Sequence, residues 1–154
     1  MKHQEKILDG HEPKCYPFLK WAGGKTQLLP RISKAIPQSY ARYFEPFLGG
    51  GAVFFYMISN NILRSEAHLI DSNKELINTY NVIKSNVEEL IMILSKYQEE
   101  YNKSPVKSYY DLRDKFDRNS TRIEKAARTI ALNKTCYNGL YRVNRNGEFN
   151  VPIG

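Results

Sequence analysis

Cysteine and histidine are scarce in this chain. Among its 154 residues the only cysteines are Cys15 and Cys136, and the only histidines are His3, His11 and His68. None of them stands at the close spacing that metal ligands adopt, so neither a disulfide framework nor a metal site is expected. No stretch approaches the roughly 18 apolar residues that a membrane-spanning helix needs. Residues 1–14 are polar where a secretory leader would be apolar. These absences fit a cytoplasmic protein with reduced thiols and a frayed leader over residues 1–16. Acidic residues are also in deficit, 16 against 23 basic ones, for a net charge of +7 and a pI near 9.4. That balance suits a polyanionic partner, because lysine and arginine that neutralise phosphates release counterions. Charge alone is equally compatible with a basic protein that binds no nucleic acid.

What is present begins with Tyr43-Phe44-Glu45-Pro46-Phe47-Leu48-Gly49-Gly50-Gly51-Ala52. It predicts a strand over residues 43–47, a tight glycine loop, and a helix from Ala52 whose N-terminus faces that loop. Asp71 closes the next apolar run, His68-Leu69-Ile70, about 20 residues beyond the last glycine, where such folds place an acceptor for ribose hydroxyls. The dinucleotide fingerprint is incomplete: its last glycine is missing, and Phe54 would crowd a helix that must hug its strand. Glu45 at the strand tip would repel a diphosphate but suits a cationic ligand such as the sulfonium and amino groups of S-adenosyl-L-methionine. A plain surface turn is the competing reading.

Upstream, Gly24-Lys25-Thr26 imitates a phosphate-binding loop, yet Leu19 stands where that loop requires its first glycine. Trp21 and Lys25 therefore need another role. An indole can pack over an adenosyl group and an ammonium can pair with a carboxylate. Core packing is the equal alternative for Trp21.

The remainder reads as helical. A short helix is expected over residues 26–36, another over residues 52–59. Leu76, Ile77, Tyr80 and Ile83 form one apolar stripe, and Val87, Leu90, Ile91, Leu94 and Tyr97 form the next, both assigned to the core. Residues 101–106, with Pro105, read as a polar linker to a helix near residues 109–116, and residues 118–121 as a loop and cap. Ile123, Ala126, Ala127, Ile130 and Ala131 recur at helical spacing. Only two core strands are found, so the fold class is α/β with an incomplete parallel sheet.

Positive charge gathers in residues 118–154, where Arg118, Arg122, Lys125, Arg128, Lys134, Arg142 and Arg145 face only Glu124 and Glu148. Tyr137-Asn138-Gly139-Leu140-Tyr141-Arg142 mixes the side chains that direct readout needs. Arg142 can fork onto guanine, Leu140 can press on a thymine methyl, Tyr137 can fill the gap left by a flipped base, and Asn138 can bond a backbone or base edge. Asn144-Arg145-Asn146-Gly147 reads as a hairpin turn between residues 141–143 and 149–151. Hairpin packing for the tyrosines and a solvated surface for Arg142 and Arg145 are the plainer readings.

In order, Lys20-Trp21-Ala22-Gly23-Gly24-Lys25, Phe44-Glu45-Pro46-Phe47-Leu48-Gly49-Gly50-Gly51, Asp71-Ser72-Asn73, Tyr137-Asn138-Gly139-Leu140-Tyr141-Arg142 and Gly147-Glu148-Phe149-Asn150-Val151-Pro152 resemble the Dam-type DNA adenine-N6 methyltransferases. The resemblance covers the chain from about Pro17 onward. It implies a partial Rossmann-like methyltransferase fold and S-adenosyl-L-methionine as cofactor. Trp21, Lys25 and Asp71 would be contacts to it, Glu45 and Pro46 a wall of its pocket, and Gly49 to Gly51 the turn under its methionine end. Residues 17–100 would form the cofactor region and 101–154 the start of a helical target-recognition region. Tyr137, Asn138, Leu140, Arg142 and Arg145 would meet duplex DNA, with GATC as the implied target.

The family's Asp-Pro-Pro-Tyr motif, which holds the adenine amine, is absent, and no two of the seven prolines are adjacent. No catalytic residue is therefore assigned. The chain is expected to be an N-terminal part, inactive alone, completed by further sequence or by a second polypeptide carrying the catalytic half. The alternative is a non-catalytic cofactor- or DNA-binding half of a split or decayed enzyme.

Overall fold

The computed structural model describes residues 14–115, 117 and 119–154. Most of the expected leader, together with His3, His11, Phe116 and Arg118, lies outside the described residues. The first helix forms in two pieces, a 3-10 turn at Thr26–Leu28 and then α1 (Leu29–Ala35), whose Pro30 sits in the first turn. A proline there forfeits only an amide that has no helical partner anyway.

Strands β1 (Tyr43–Glu45) and β2 (Ala67–Leu69) pair in parallel, with Tyr43 opposite Ala67, Phe44 opposite His68 and Glu45 opposite Leu69. Helix α2 (Ala52–Ser59) makes the crossover between them. The strands are shorter than expected because Pro46 brings no amide to the ladder. Pairing nevertheless reaches further, through Ile70 N donating to Glu45 O at 2.9 Å and Leu48 N to Ile70 O at 3.0 Å. The ladder thereby holds the glycine loop beside Asp71.

Four helices follow: α3 (Lys74–Ser85), α4 (Val87–Lys103), α5 (Pro105–Asp114) and α6 (Arg122–Thr135), with α6 packed on the other three. The polar linker expected over residues 101–106 is helical on both sides of Ser104. Pro105 opens α5 rather than interrupting a loop, since its fixed φ suits a first helical position. The stripe on α4 also shifts. Leu90, Ile93, Leu94 and Tyr97 face the core with Val82, Ile123, Ala126 and Ala127, whereas Val87 and Ile91 are 42% and 51% exposed. Ile91 lies off the face that the spacing of Leu90, Leu94 and Tyr97 defines. Helix α6 opens with a capping box, Thr121 Oγ1 accepting from Glu124 N and Glu124 Oε2 from Thr121 N.

The terminal hairpin forms, with Val143 bridged to Phe149. A second antiparallel bridge, Cys136 to Ile153, lies beyond the expected hairpin and ties residue 153 to the end of α6. Phe149 and Val151 enter a core with Tyr109, Leu132 and Cys136, and Tyr109 Oη donates to Val151 O at 2.8 Å. Each buried aromatic or branched side chain of this kind contributes about 1.5–3 kcal/mol. Among the described residues no helix is long and apolar enough to cross a membrane, and no group of His, Cys, Asp or Glu is placed to hold a metal ion.

Candidate functional site

A cleft of about 200 Å³ lies where the turn after Leu19, the glycine loop and the end of β2 converge, lined by Trp21, Gly23, Lys25, Phe47, Gly49 and Asp71 among others. Asp71 organises it. One carboxylate oxygen accepts from Gly49 N and the other from Asn73 N, both at 2.9 Å. Asn73 in turn caps α3 by accepting from Leu76 N at 3.0 Å. The carboxylate is thus fixed close to a helix N-terminus, where negative charge is favoured.

Gly49 has φ +51°, and a Cβ there would stand 2.9 Å from Trp21 Cδ1. Only glycine lets the indole lie against this loop. The other side of Trp21 stacks on Tyr141, centroids 5.3 Å apart and 28° between planes. Tyr80 Oη approaches Gly49 O at 3.4 Å, and burial pushes its phenol well above the ordinary value. Lys25 Nζ is exposed and donates to Gly23 O at 3.2 Å.

Trp21, Lys25, Gly49 and Asp71 therefore share one cleft. Glu45, Pro46 and Gly51 do not line it. Gly51 is the buried N-cap of α2, and Pro46 is exposed. Glu45 Oε2 accepts from Tyr43 Oη at 2.7 Å. Burial raises the Glu45 carboxyl above the usual range, opposed by the Tyr43 hydroxyl, the Phe54 amide and the Lys25 charge.

The second cluster sits against the first. Tyr137–Gly139 forms a short turn in which Asn138 has φ +54°, and a Cβ on Gly139 would stand 2.5 Å from Lys20 Cβ. Asn133, only 4% exposed, joins the two motifs. Its Nδ2 donates to Lys20 O at 2.8 Å and Gly139 O at 3.0 Å, while its Oδ1 accepts from Lys20 N at 2.9 Å. Tyr141 adds a second link through its stack on Trp21. Tyr137, Asn138, Leu140, Arg142 and Arg145 are all exposed. Arg142 is folded onto Asn150, whereas Arg145 is exposed at the hairpin turn. Sequence reasoning missed Asn133, Tyr80 and Asn150. Asn133 left a trace, a polar residue four places beyond Thr129 on the buried face of α6, since buried polar groups demand partners.

A parallel pair of strands, a glycine loop fixed by a carboxylate and an exposed mixed-chemistry turn tied through Asn133 to Lys20 define the class. The chain belongs to the family of D12 class N6 adenine-specific DNA methyltransferases, which it matches over residues 21–154. It is 43% identical to a type II methyltransferase of Methanocaldococcus jannaschii, over 90% of this chain and 52% of the relative. A type II methyltransferase of Lactococcus lactis subsp. cremoris is 44% identical, over 96% and 51%. The DNA adenine methylase of Escherichia coli (strain K12) is 38% identical, over 89% and 47%. The Dam-type resemblance and the family match agree, and the chain spans about half the length of the curated relatives it matches.

Proposed function

We propose that these residues are the cofactor-holding and first target-reading portion of a DNA adenine-N6 methyltransferase that uses S-adenosyl-L-methionine and acts on GATC in duplex DNA. The single observation that carries the reading is the Asp71 carboxylate bonded to the Gly49 amide, with Trp21 and Lys25 in the same cleft. The donor set fits the cofactor. Trp21 and Phe47 offer aromatic surface to an adenine ring, and the Lys25 ammonium offers a partner to a carboxylate. Asp71 keeps lone pairs for hydroxyl or ammonium donors after accepting its two amides. A volume of about 200 Å³ is below the roughly 300–1,000 Å³ usual for small-molecule sites. The cleft accordingly takes part of the cofactor, and further chain supplies the rest of the wall.

When bound, S-adenosyl-L-methionine supplies an electrophilic methyl group. The work of this chain is to hold and orient: Asp71 and Gly49 fix the floor, Trp21 and Tyr141 fix one wall, and Asn133 holds the Tyr137–Gly139 turn at a set distance from that wall. Orientation matters because the adenine amine is a poor nucleophile whose lone pair must be aligned. The groups that accept its protons, and the remainder of a Rossmann-like sheet, come from further sequence or from a second polypeptide. Residues 17–100 serve the cofactor and 101–154 begin target recognition, a functional division, since α4 crosses it.

The test compares the 154-residue chain with a polypeptide that adds an Asp-Pro-Pro-Tyr segment, each given labelled cofactor and duplexes with GATC or a scrambled site. Methylation of adenine in GATC by the longer polypeptide alone is the expected result. Incorporation without regard to sequence would overturn the target, and incorporation by the short chain would overturn the division of labour.

A further inference from the structure

We infer that Asn150 is a specificity-determining positioning residue, which holds the Arg142 guanidinium in the orientation that reads guanine. The inference rests on the proposed reading of duplex DNA and names a residue that this reading leaves without a role. Arg142 Nε donates to Asn150 Oδ1 at 2.7 Å, and Arg142 Nη2 donates to Asn150 O at 2.9 Å. Asn150 N closes the ring by donating to Arg142 O at 3.1 Å. These bonds engage the Nε edge of the guanidinium. Among the described residues Nη1 and the outer N–H of Nη2 make no hydrogen bond, and this end-on pair is a fork of the kind that meets the O6 and N7 of guanine.

Asn150 is itself held rigidly. Its neighbours Phe149 and Val151 are 9% and 1% exposed in the core, and Val151 O accepts from Tyr109 Oη. Side chains alternate along extended backbone, so these two anchors turn Asn150 to the other face, beside Arg142. A long arginine held in one rotamer before contact loses less freedom on binding than one that must be ordered by it. Arg145 makes the contrast. It is exposed at the Asn144 to Gly147 turn, and among the described residues no hydrogen bond fixes its head. Such a side chain suits sequence-independent phosphate contact.

The experiment measures binding of the 154-residue chain, with cofactor present in low salt, to a GATC duplex and to the same duplex with 7-deazaguanine, which lacks the N7 acceptor. For the unaltered chain the substitution weakens binding roughly tenfold, since it removes one of the two acceptors of a bidentate contact. Asn150→Ala and the similarly shaped Asn150→Leu are expected to reduce that ratio to about twofold or less. Their affinity for scrambled DNA and the slope of binding against salt should stay unchanged. Asn150→Asp retains the acceptor and is expected to retain the ratio. Arg145→Ala should lower the salt slope by about one without changing the ratio. If the Asn150 variants are folded and discriminate as well as the unaltered chain, this inference fails and the reading of GATC stands. If the unaltered chain itself ignores 7-deazaguanine, Arg142 is not a guanine reader and the inference fails together with the target.

Discussion

Asn133 shows how one side chain can join two motifs more than a hundred positions apart, bonding Lys20 on both its amide and its carbonyl as well as Gly139. Asn133→Ala strands those backbone groups in a buried site. The cost is about 2–3 kcal/mol, which should lower the midpoint of thermal unfolding by several degrees; a midpoint unchanged by the substitution would contradict the clamp. Glu45 gives the residue scale a pH signature. Its folded carboxyl is raised by burial, so the folded protein binds that proton more tightly than the unfolded chain does. The contribution is fully present below the ordinary carboxylate range and is lost as pH rises through the folded value. Glu45→Gln is therefore expected to stabilise the protein at neutral pH and to flatten this part of the curve of stability against pH. A variant less stable than the parent at pH 7 would show that the charge is needed in place.

At the scale of elements, α6 is the organising helix, and its start is specified locally by Thr121 and Glu124. Thr121→Ala should cost about 1 kcal/mol in denaturant titration, and a cost near zero would mean that packing on α3, α4 and α5 fixes the helix unaided. This helix, α2 and the hairpin turn were legible because apolar spacing, caps and Asn-Gly chemistry are local properties. The break between α4 and α5 was not, because a proline at a first helical position and a proline in a loop look alike until Ser104 alone is seen to leave helical geometry between the two helices. Ile91 shows the same limit: residues at plausible spacing divide into face and flank only when the partner helices are in place. In the site, Trp21, Lys25, Gly49 and Asp71 could be grouped from residue types and motif order. Tyr80 could not, since its partner is a backbone carbonyl 31 positions away; Asn133 showed only as a polar residue on the buried face of α6, with partners at Lys20 and Gly139 that spacing does not reveal, and Asn150 only as a residue across the hairpin from Arg142.

For the whole molecule, the two-stranded sheet and the residues just beyond its strands present Phe44, Phe47 and Ile70 at 52%, 84% and 48% exposure. Parallel sheets ordinarily have both faces covered. The 154-residue chain should accordingly self-associate with rising concentration in sedimentation experiments, and Phe47→Lys with Ile70→Lys should reduce this; monomers at all concentrations would show that the surface is tolerated in water. The basic surface belongs to the same scale: DNA binding should fall steeply with salt, because it depends on phosphate neutralisation.

The most direct test of the account is calorimetric titration of the 154-residue chain with S-adenosyl-L-methionine, repeated with Asp71→Ala. Binding is expected to weaken at least tenfold in the variant, with little change when Pro46, which lies outside the cleft, is replaced by alanine. Equal binding by the Asp71 variant, or a stronger dependence on Pro46 than on Asp71, would place the cofactor elsewhere and contradict the account.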